Sequence, residues 1–434
     1  MHRIAHLIAL ALVFGATSIA WLIFAVVMAT RADGLEESLQ GDVAELWGQQ
    51  MVQEAPRVAR HTERLEQREE QLTGPDGLPI YEANGAARFV TKNVRVEASE
   101  RLPLDSTALD VSMGHDPRRK GLIWFSLYDV AMDGTWTFTQ DADEGGDVTI
   151  TFPFPQADGI YDDFRFEVDG QPVETAPANG VAAHRRHVAA GEEVTFRVAY
   201  KSRGRDEWLY RPVDGWQTGE VRNFVLALHT DFADIDYPGR TMSPSNRRQT
   251  ADSGWDLTWT FERLITGQGM GMVTPSRVQA GELGARLSLS APISLGLFMI
   301  WVSILALLRG VEIHPVNFAF VAAAFFSFHL LFGYTADHLP VEWAFVLSSA
   351  VSVLLTVSYL RLVAGPRFAV VQAGGAQLLY QVGFSAAHFV EGMTGLTLTV
   401  LLVGTLFLLM QMTGHIRWSE VFGERDADPR PAAA

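Results

Sequence analysis

The chain has 434 residues, of which 19% are charged, with a formal net charge of −16 and no cysteine. That acidic balance argues against a nucleic-acid partner, which wants a basic surface. Without cysteine, disulfides and thiolate metal sites are excluded, and lysine occurs only at Lys92, Lys120 and Lys201.

Residues 4–29 form an apolar run flanked by Arg3 and Arg31. It is longer than the apolar core of a signal peptide, usually about 7–15 residues. Arg31 also spoils the one small-residue cleavage site, Thr30-Arg31-Ala32. Residues 1–31 therefore read as an uncleaved transmembrane anchor. Residues 32–79 read as a helical connector. Leu35, Leu39, Val43, Leu46 and Trp47 recur near helical spacing, and a second, solvated helix is expected over 61–72, stopped by Thr73-Gly74-Pro75-Asp76-Gly77.

From 80 to 286 the pattern changes to short β-branched and aromatic runs, such as 89–96, 135–139, 148–154, 164–168, 194–200, 224–229 and 255–261. Many alternate apolar with polar, and Asp-Gly, Gly-Gly, Pro-Gly and Ser-Gly pairs lie between them. This predicts a mainly-β, sandwich-like domain of antiparallel strands.

Five apolar segments then follow within 287–414: 287–308, 316–334, 343–360, 368–387 and 396–412. Each approaches the roughly 20 residues that cross a bilayer as a helix. In lipid, backbone groups must bond internally, so helices are expected. The predicted fold class is a membrane α-helical bundle of six transmembrane helices, one plus five, with the β domain inserted between the first and second. Residues 415–434 form a tail. Arg309, Arg361 with Arg367, and Arg417 lie in alternate turns of the bundle, whereas 335–342 and 388–394 contain no Arg or Lys. The positive-inside rule then puts both termini in the cytoplasm and the β domain in the periplasm of a bacterial inner membrane.

Several motifs resemble the CreD family of bacterial inner-membrane proteins. Leu46-Trp47-Gly48 with Gln50 and Pro56 is similar to the Trp-Gly segment after that family's anchor. Arg119-Lys120-Gly121-Leu122 resembles its entry to a strand. Val311-Glu312-Ile313-His314-Pro315-Val316-Asn317-Phe318 opens a helix as the family's Ile-His-Pro-x-Asn-Tyr does. Asp337-His338 stands where the family has Glu-His, and Ile416-Arg417-Trp418 closes the last helix similarly. The resemblance implies one anchor, a large periplasmic domain and a five-helix bundle. It further implies an envelope-associated role linked to a two-component system and to tolerance of envelope-damaging agents, with no established reaction.

Three groups in the bundle are candidate sites. His314, Pro315 and Asn317 could hold a turn against a neighbouring helix or partner. Tyr334, Asp337, His338, Glu342, His388 and Glu391 gather carboxylates and imidazoles that could bind a divalent metal, pass a proton or cap helices at the membrane surface. His388 and Glu391 lack the second His of a metalloprotease motif. Gly374, Gln377, Gln381, Ser385 and His388 share one helical face, reading as a ligand path or as helix–helix glue. In the β domain, His184-Arg185-Arg186-His187 reads as an exposed loop able to meet an anion or a lipid headgroup, Asp162-Asp163 as a turn, and the tryptophans as core in preference to a sugar or lipid groove.

No complete catalytic constellation is present, so no enzyme activity, cofactor or metal is expected. The first reading is a non-enzymatic inner-membrane protein in envelope integrity or stress response. Its partners would be the lipid bilayer and an envelope component or another membrane protein. The alternative is a transport or lipid-handling protein that uses the polar stripe around Gln377 and Gln381.

Overall fold

The structure, a computed structural model, describes residues 2–75, 77–82, 85–140, 145–390 and 392–415. Two compact units emerge: Met1–Leu39, Gly121–Ile123 and Val278–Ala434 in one, Gln40–Lys120 and Trp124–Arg277 in the other.

The first unit is helical. It holds most of α1 (His2–Trp47), then α2 (Ala280–Arg309), α3 (Pro315–Thr335), α4 (Val341–Ala364) and a final helix Met393–Thr413. These five are long and apolar enough to cross a membrane. The remaining apolar run, expected as one regular helix, is wound differently. It is π-helical over Phe368–Gly374 and Leu378–Gly383, α-helical only at Gly375–Gln377 and Phe384–Ala386, and closes in the 3₁₀ turn Ala387–Phe389. Gly374, Gly375 and Gly383 fall where the winding changes, where a missing Cβ eases the transition.

Small residues bring α1 close to this unit's other helices. A Cβ on Gly333 would stand 2.9 Å from Met28 Sδ, and one on Gly281 2.9 Å from the Ala32 Cβ. Trp21 of α1 is fully buried with Leu295, Phe298, Phe325 and Tyr380. Without a hydrophobic drive between helices in lipid, such close approach is what makes their packing favourable.

The second unit is β-rich. Its largest sheet has eight strands, ordered Gln171–Pro172, Asp162–Val168, Glu193–Arg205, Leu127–Thr139, Ser106–His115, Gly219–Thr230, Trp255–Thr266 and Asn246–Gln249. A four-stranded sheet runs Val181–Val188, Gly146–Pro153, Arg57–Gln71, Phe89–Leu102. Strict alternation along Leu127–Thr139 buries Val130, Met132, Trp136 and Phe138. Val148, Ile150 and Phe152 of the smaller sheet join the same core, and Trp136 meets Phe152 at 6.0 Å and stacks on Phe196 at 5.4 Å. Residues of the two sheets thus share one core in a β-rich domain, and within the large sheet Ser106–His115 runs parallel to Gly219–Thr230. A third sheet places Met51–Glu54 parallel to Glu207–Arg211, which pairs in turn with Met270–Val273.

The helical connector needs correction. α1 continues unbroken to Trp47, absorbing the first amphipathic piece, but 61–72 is not a helix. Those residues belong to strand Arg57–Gln71, which pairs with Phe89–Leu102 from Val58↔Leu102 to Gln71↔Phe89. Glu, Gln, Arg and Leu are good helix formers, but intrinsic propensity amounts to roughly a few tenths of a kcal/mol per residue, and a long antiparallel partner overrides it. The boundaries shift as well: α2 begins at Ala280, before the expected bundle start at 287.

Candidate functional site

In the helical unit the polar stripe lies inside the bundle. Gln377 and Gln381 are fully buried, and Ser385 is nearly so. The Gln377 amide donates to Gln381 Oε1 at 2.7 Å and to Ser352 Oγ of α4 at 3.0 Å. Ser352 Oγ lies 2.7 Å from the Ala324 carbonyl and 3.0 Å from Gln381 Oε1. The Gln381 amide reaches the Phe325 carbonyl of α3 at 2.9 Å, and His329 Nδ1 approaches that same oxygen at 3.3 Å. The hydrogen bonds thus run from one helical element through two others. Open valences remain at both ends, on Gln377 Oε1 and His329 Nε2, with Thr356 Oγ1 and the Trp21 indole nitrogen also unpaired. Such atoms are costly in an apolar interior.

Ser352, His329 and Trp21 were not singled out from sequence. The signal for Ser352 was available, because Ser348, Ser352 and Thr356 repeat every four residues in an otherwise apolar run and are all fully buried. His329 and Trp21 gave none, since one polar residue in an apolar helix says nothing about what it will face.

The other bundle candidates separate. His314 caps α3, its Nδ1 accepting from the Val316 backbone at 3.3 Å, and Pro315 occupies the first turn, where a missing N–H costs nothing. Asn317 Oδ1 accepts from Tyr359 of α4 at 2.9 Å. Asp337 pairs with Arg31 of α1 at 2.7 Å, with that guanidinium over the Tyr334 ring. His338 and Glu342 are exposed. His388 Nε2 meets Ser290 Oγ at 3.1 Å, and Gly374 sits where a Cβ would press Val357. Glu391 and Ile416-Arg417-Trp418 lie outside the described residues. Among the described residues no group of three or more His, Asp or Glu could hold a metal ion.

The β-rich unit contains an open cleft of about 730 Å³ beside the end of α1. Trp47, Gly48, Asp129, Ile160, Lys201 and Arg203 are among the residues lining it. Gly48 is required there. Its φ is +95°, and a Cβ would stand 2.5 Å from the Arg203 carbonyl. Trp47 packs edge-on to Phe125, with the Arg118 guanidinium 6.0 Å from its ring. Arg203 holds Asp129 at 2.6 Å and Lys201 holds Asp163 at 2.7 Å. Lys201's hydrogen bond lowers the Asp163 pKa, and Asp163's raises that of Lys201, so both stay charged. The lining is mixed, with Leu46, Trp47 and Ile160 among Glu45, Asp129, Asp162, Lys201 and Arg203. Sequence reasoning had Trp47 as a motif but not the cleft, which strands distant in the chain assemble.

Two sequence readings in this unit are revised. His184-Arg185-Arg186-His187 is strand, within Val181–Val188, because it pairs with Gly146–Pro153. Arg186 is held by Asp169 and Glu192, Arg185 by Glu97 and Asp147. Asp162-Asp163 opens a strand rather than forming a turn. Ser126 Oγ lies 3.5 Å from His115 Nε2, which resembles a nucleophile–base pair, but it also donates to the Pro275 carbonyl at 2.6 Å. That proton is directed away from the imidazole, so the pair lacks the geometry of nucleophilic catalysis.

Residues 285–419 match the family model of the inner membrane protein CreD. This bears out the resemblance carried by Val311–Phe318 and its neighbours, over the bundle. No curated protein matches the chain. Among solved structures, a nutrient-binding candidate of Legionella pneumophila is 11% identical with a TM-score of 0.30, covering 46% of this chain and 71% of its own. An M1 zinc metallopeptidase of Deinococcus radiodurans is 10% identical with a TM-score of 0.26, covering 67% of this chain and 96% of its own. At TM-scores this low neither likeness bears on fold or chemistry.

Proposed function

Taking the CreD-type bundle as the membrane part of the chain, we propose a non-enzymatic inner-membrane protein whose β-rich unit binds an envelope component in the periplasm. In this reading α1, the regular helices and the π-wound run make six crossings, both termini are cytoplasmic, and the protein serves envelope integrity or the envelope stress response. The charge pattern of the short turns supports the orientation. The observation that carries the binding role is the cleft of about 730 Å³ at Trp47, the size of a ligand site, in which Leu46, Trp47 and Ile160 lie among charged groups such as Asp129, Lys201 and Arg203. The polar groups of the bundle, by contrast, are largely engaged with one another.

A photo-crosslinking residue in place of Ile160, in the full-length protein in cells, tests this. Attachment to a periplasmic or lipid-linked envelope component is expected. Attachment to cytosolic proteins alone, or to nothing, refutes the reading.

One observation favours the alternative, a transport or lipid-handling role: Gln377 Oε1 and Thr356 Oγ1 are buried without partners beside a π-wound segment, and π-windings often mark functional sites. Liposomes carrying the full chain would move a lipid or an ion, and Gln377→Leu with Gln381→Leu would abolish that movement while leaving cleft crosslinking intact.

A further inference from the structure

The cleft beside Trp47 is partly apolar and carries a surplus of negative charge. Two segments bring apolar side chains to it. The end of α1 supplies Leu46 and Trp47, and the connection between strands Gly146–Pro153 and Asp162–Val168 supplies Ile160. Leu46 is 62% exposed and Ile160 79%, the latter more than any other large apolar side chain among the described residues. Ile160 is nonetheless held in place. Its carbonyl accepts from Ser202 Oγ at 2.8 Å, and the Tyr161 hydroxyl bonds both the backbone nitrogen and the carbonyl of Gln156 at 2.9 Å. A fixed loop that presents an uncovered apolar side chain loses little entropy when a ligand settles on it.

Carboxylates stand beside these apolar groups. Glu45 precedes Leu46, and Asp158 and Asp162 bracket Ile160 two residues to either side. All three line the cleft. The two cations of the lining are already answered, Arg203 by Asp129 at 2.6 Å and Lys201 by Asp163 at 2.7 Å, with the Asp162 charge also acting on Lys201. Asp162 Oδ1 accepts from the Asp163 backbone at 2.9 Å. Glu45, Asp158 and Asp162 have no ion-pair partner among the described residues. Four carboxylates thus line the cleft against two cations. A cleft with a surplus of one sign focuses its field and draws the opposite charge.

Resting on the binding role given to this cleft above, we propose that its ligand is a small amphipathic cation, an ammonium or amidinium group on an apolar body. The charged end lies among Glu45, Asp158 and Asp162, and the body rests on Leu46, Trp47 and Ile160. A cleft of about 730 Å³ suits a molecule of that size. The indole adds to the selection, because a cation near an aromatic face is favoured, and the Arg118 guanidinium already stands 6.0 Å from that ring. An anionic ligand would instead have to displace Asp129 or Asp163 from the cations they hold.

Pentamidine, a water-soluble aromatic diamidine, is the probe. It is titrated calorimetrically into the full-length chain in phosphatidylcholine nanodiscs, with empty nanodiscs as the blank. Saturable binding at one site, weakening as salt is raised, is expected. Asp158→Asn with Asp162→Asn should weaken it about ten-fold or more. Asp234→Asn with Asp252→Asn removes the same charge outside the cleft lining and should change the affinity by less than about two-fold. Equal losses from the two pairs would assign the binding to the net charge of −16 and overturn the proposal, as would the lack of saturable binding. Should the cleft variant fail to reach the membrane, the unmodified chain decides. The dicarboxylate of the same skeleton should not bind, and binding as tight as that of the diamidine overturns the proposal. Crosslinking at Ile160 in cells without diamidine binding would remove the cation and keep the envelope-binding reading. Diamidine binding without that crosslinking would do the opposite.

Discussion

The Arg31 guanidinium meets Asp337 Oδ2 at 2.7 Å, tying α1 to the residues that follow α3. In sequence the first was only the flank of an apolar run and the second a candidate for metal or proton chemistry. Paired, they read as a clasp that closes the bundle around its first helix. Asp337 is nearly buried and Arg31 about one-third exposed, so the pair falls between surface and buried ion pairs. A double-mutant cycle of Arg31→Ala and Asp337→Ala, measured by thermal unfolding in detergent, should give a coupling of about 1–2 kcal/mol. Additive losses would show that the pair contributes nothing beyond its separate side chains.

The buried amides predict a graded response. Gln381→Leu removes the bond to the Phe325 carbonyl and the acceptor for both Gln377 and Ser352, whereas Gln377→Leu leaves Ser352 joined to Gln381. Hydrogen bonds between helices in membranes contribute roughly 1 kcal/mol or less each. Gln381→Leu should therefore destabilise the bundle more than Gln377→Leu, a ranking that steric-trap or denaturant unfolding in bicelles can read.

In the β core, Gly134 lies under the Trp136 ring, and a Cβ there would come within 2.2 Å of it. Gly134→Ala must displace a fully buried indole stacked on Phe196. Overpacking of this kind costs about 1–3 kcal/mol. The tryptophan fluorescence of the full chain should change and its melting temperature fall. An unchanged melting point would contradict the packing described.

Glu207 supplies a pH-dependent prediction. Burial first, and then the neighbouring Asp206 charge, raise its carboxyl above the ordinary 4.5. The folded state thus holds this proton more tightly than the unfolded chain, and the stability this gives is lost as pH rises through the raised value. At neutral pH the charged form carries a cost that Glu207→Gln removes. The variant should melt higher than the parent at pH 7, with the gain vanishing below about pH 4.5, where both side chains are neutral. Melting curves across pH 4–8 decide, and a gain independent of pH would point to some other cause.

Much of the fold was legible in the residues. Apolar length marked α1 to α4 and the final helix, and alternation marked strands such as Leu127–Thr139 and Trp255–Thr266, because both signals are local. The failures share one cause. Residues 61–72 have helix-forming composition, yet they are a strand because Phe89–Leu102 pairs with them. His184 to His187 look like a polar loop, yet they are a strand because Gly146–Pro153 lies alongside. Residues 368–387 have the apolar length of a regular helix, but their winding is largely π.

By itself, then, the sequence determined which segments are long and apolar enough to cross a membrane, that a β-rich region separates the first from the rest, and which motif carries the CreD resemblance. Only the tertiary structure decided that Gln377 and Gln381 bond inward to Ser352 and Phe325, that Arg31 answers Asp337, and that Trp47, Ile160 and Arg203 line one cleft. Hydrophobic length and alternation are written into neighbouring residues, whereas a partner hundreds of positions away becomes a neighbour only once the chain has folded.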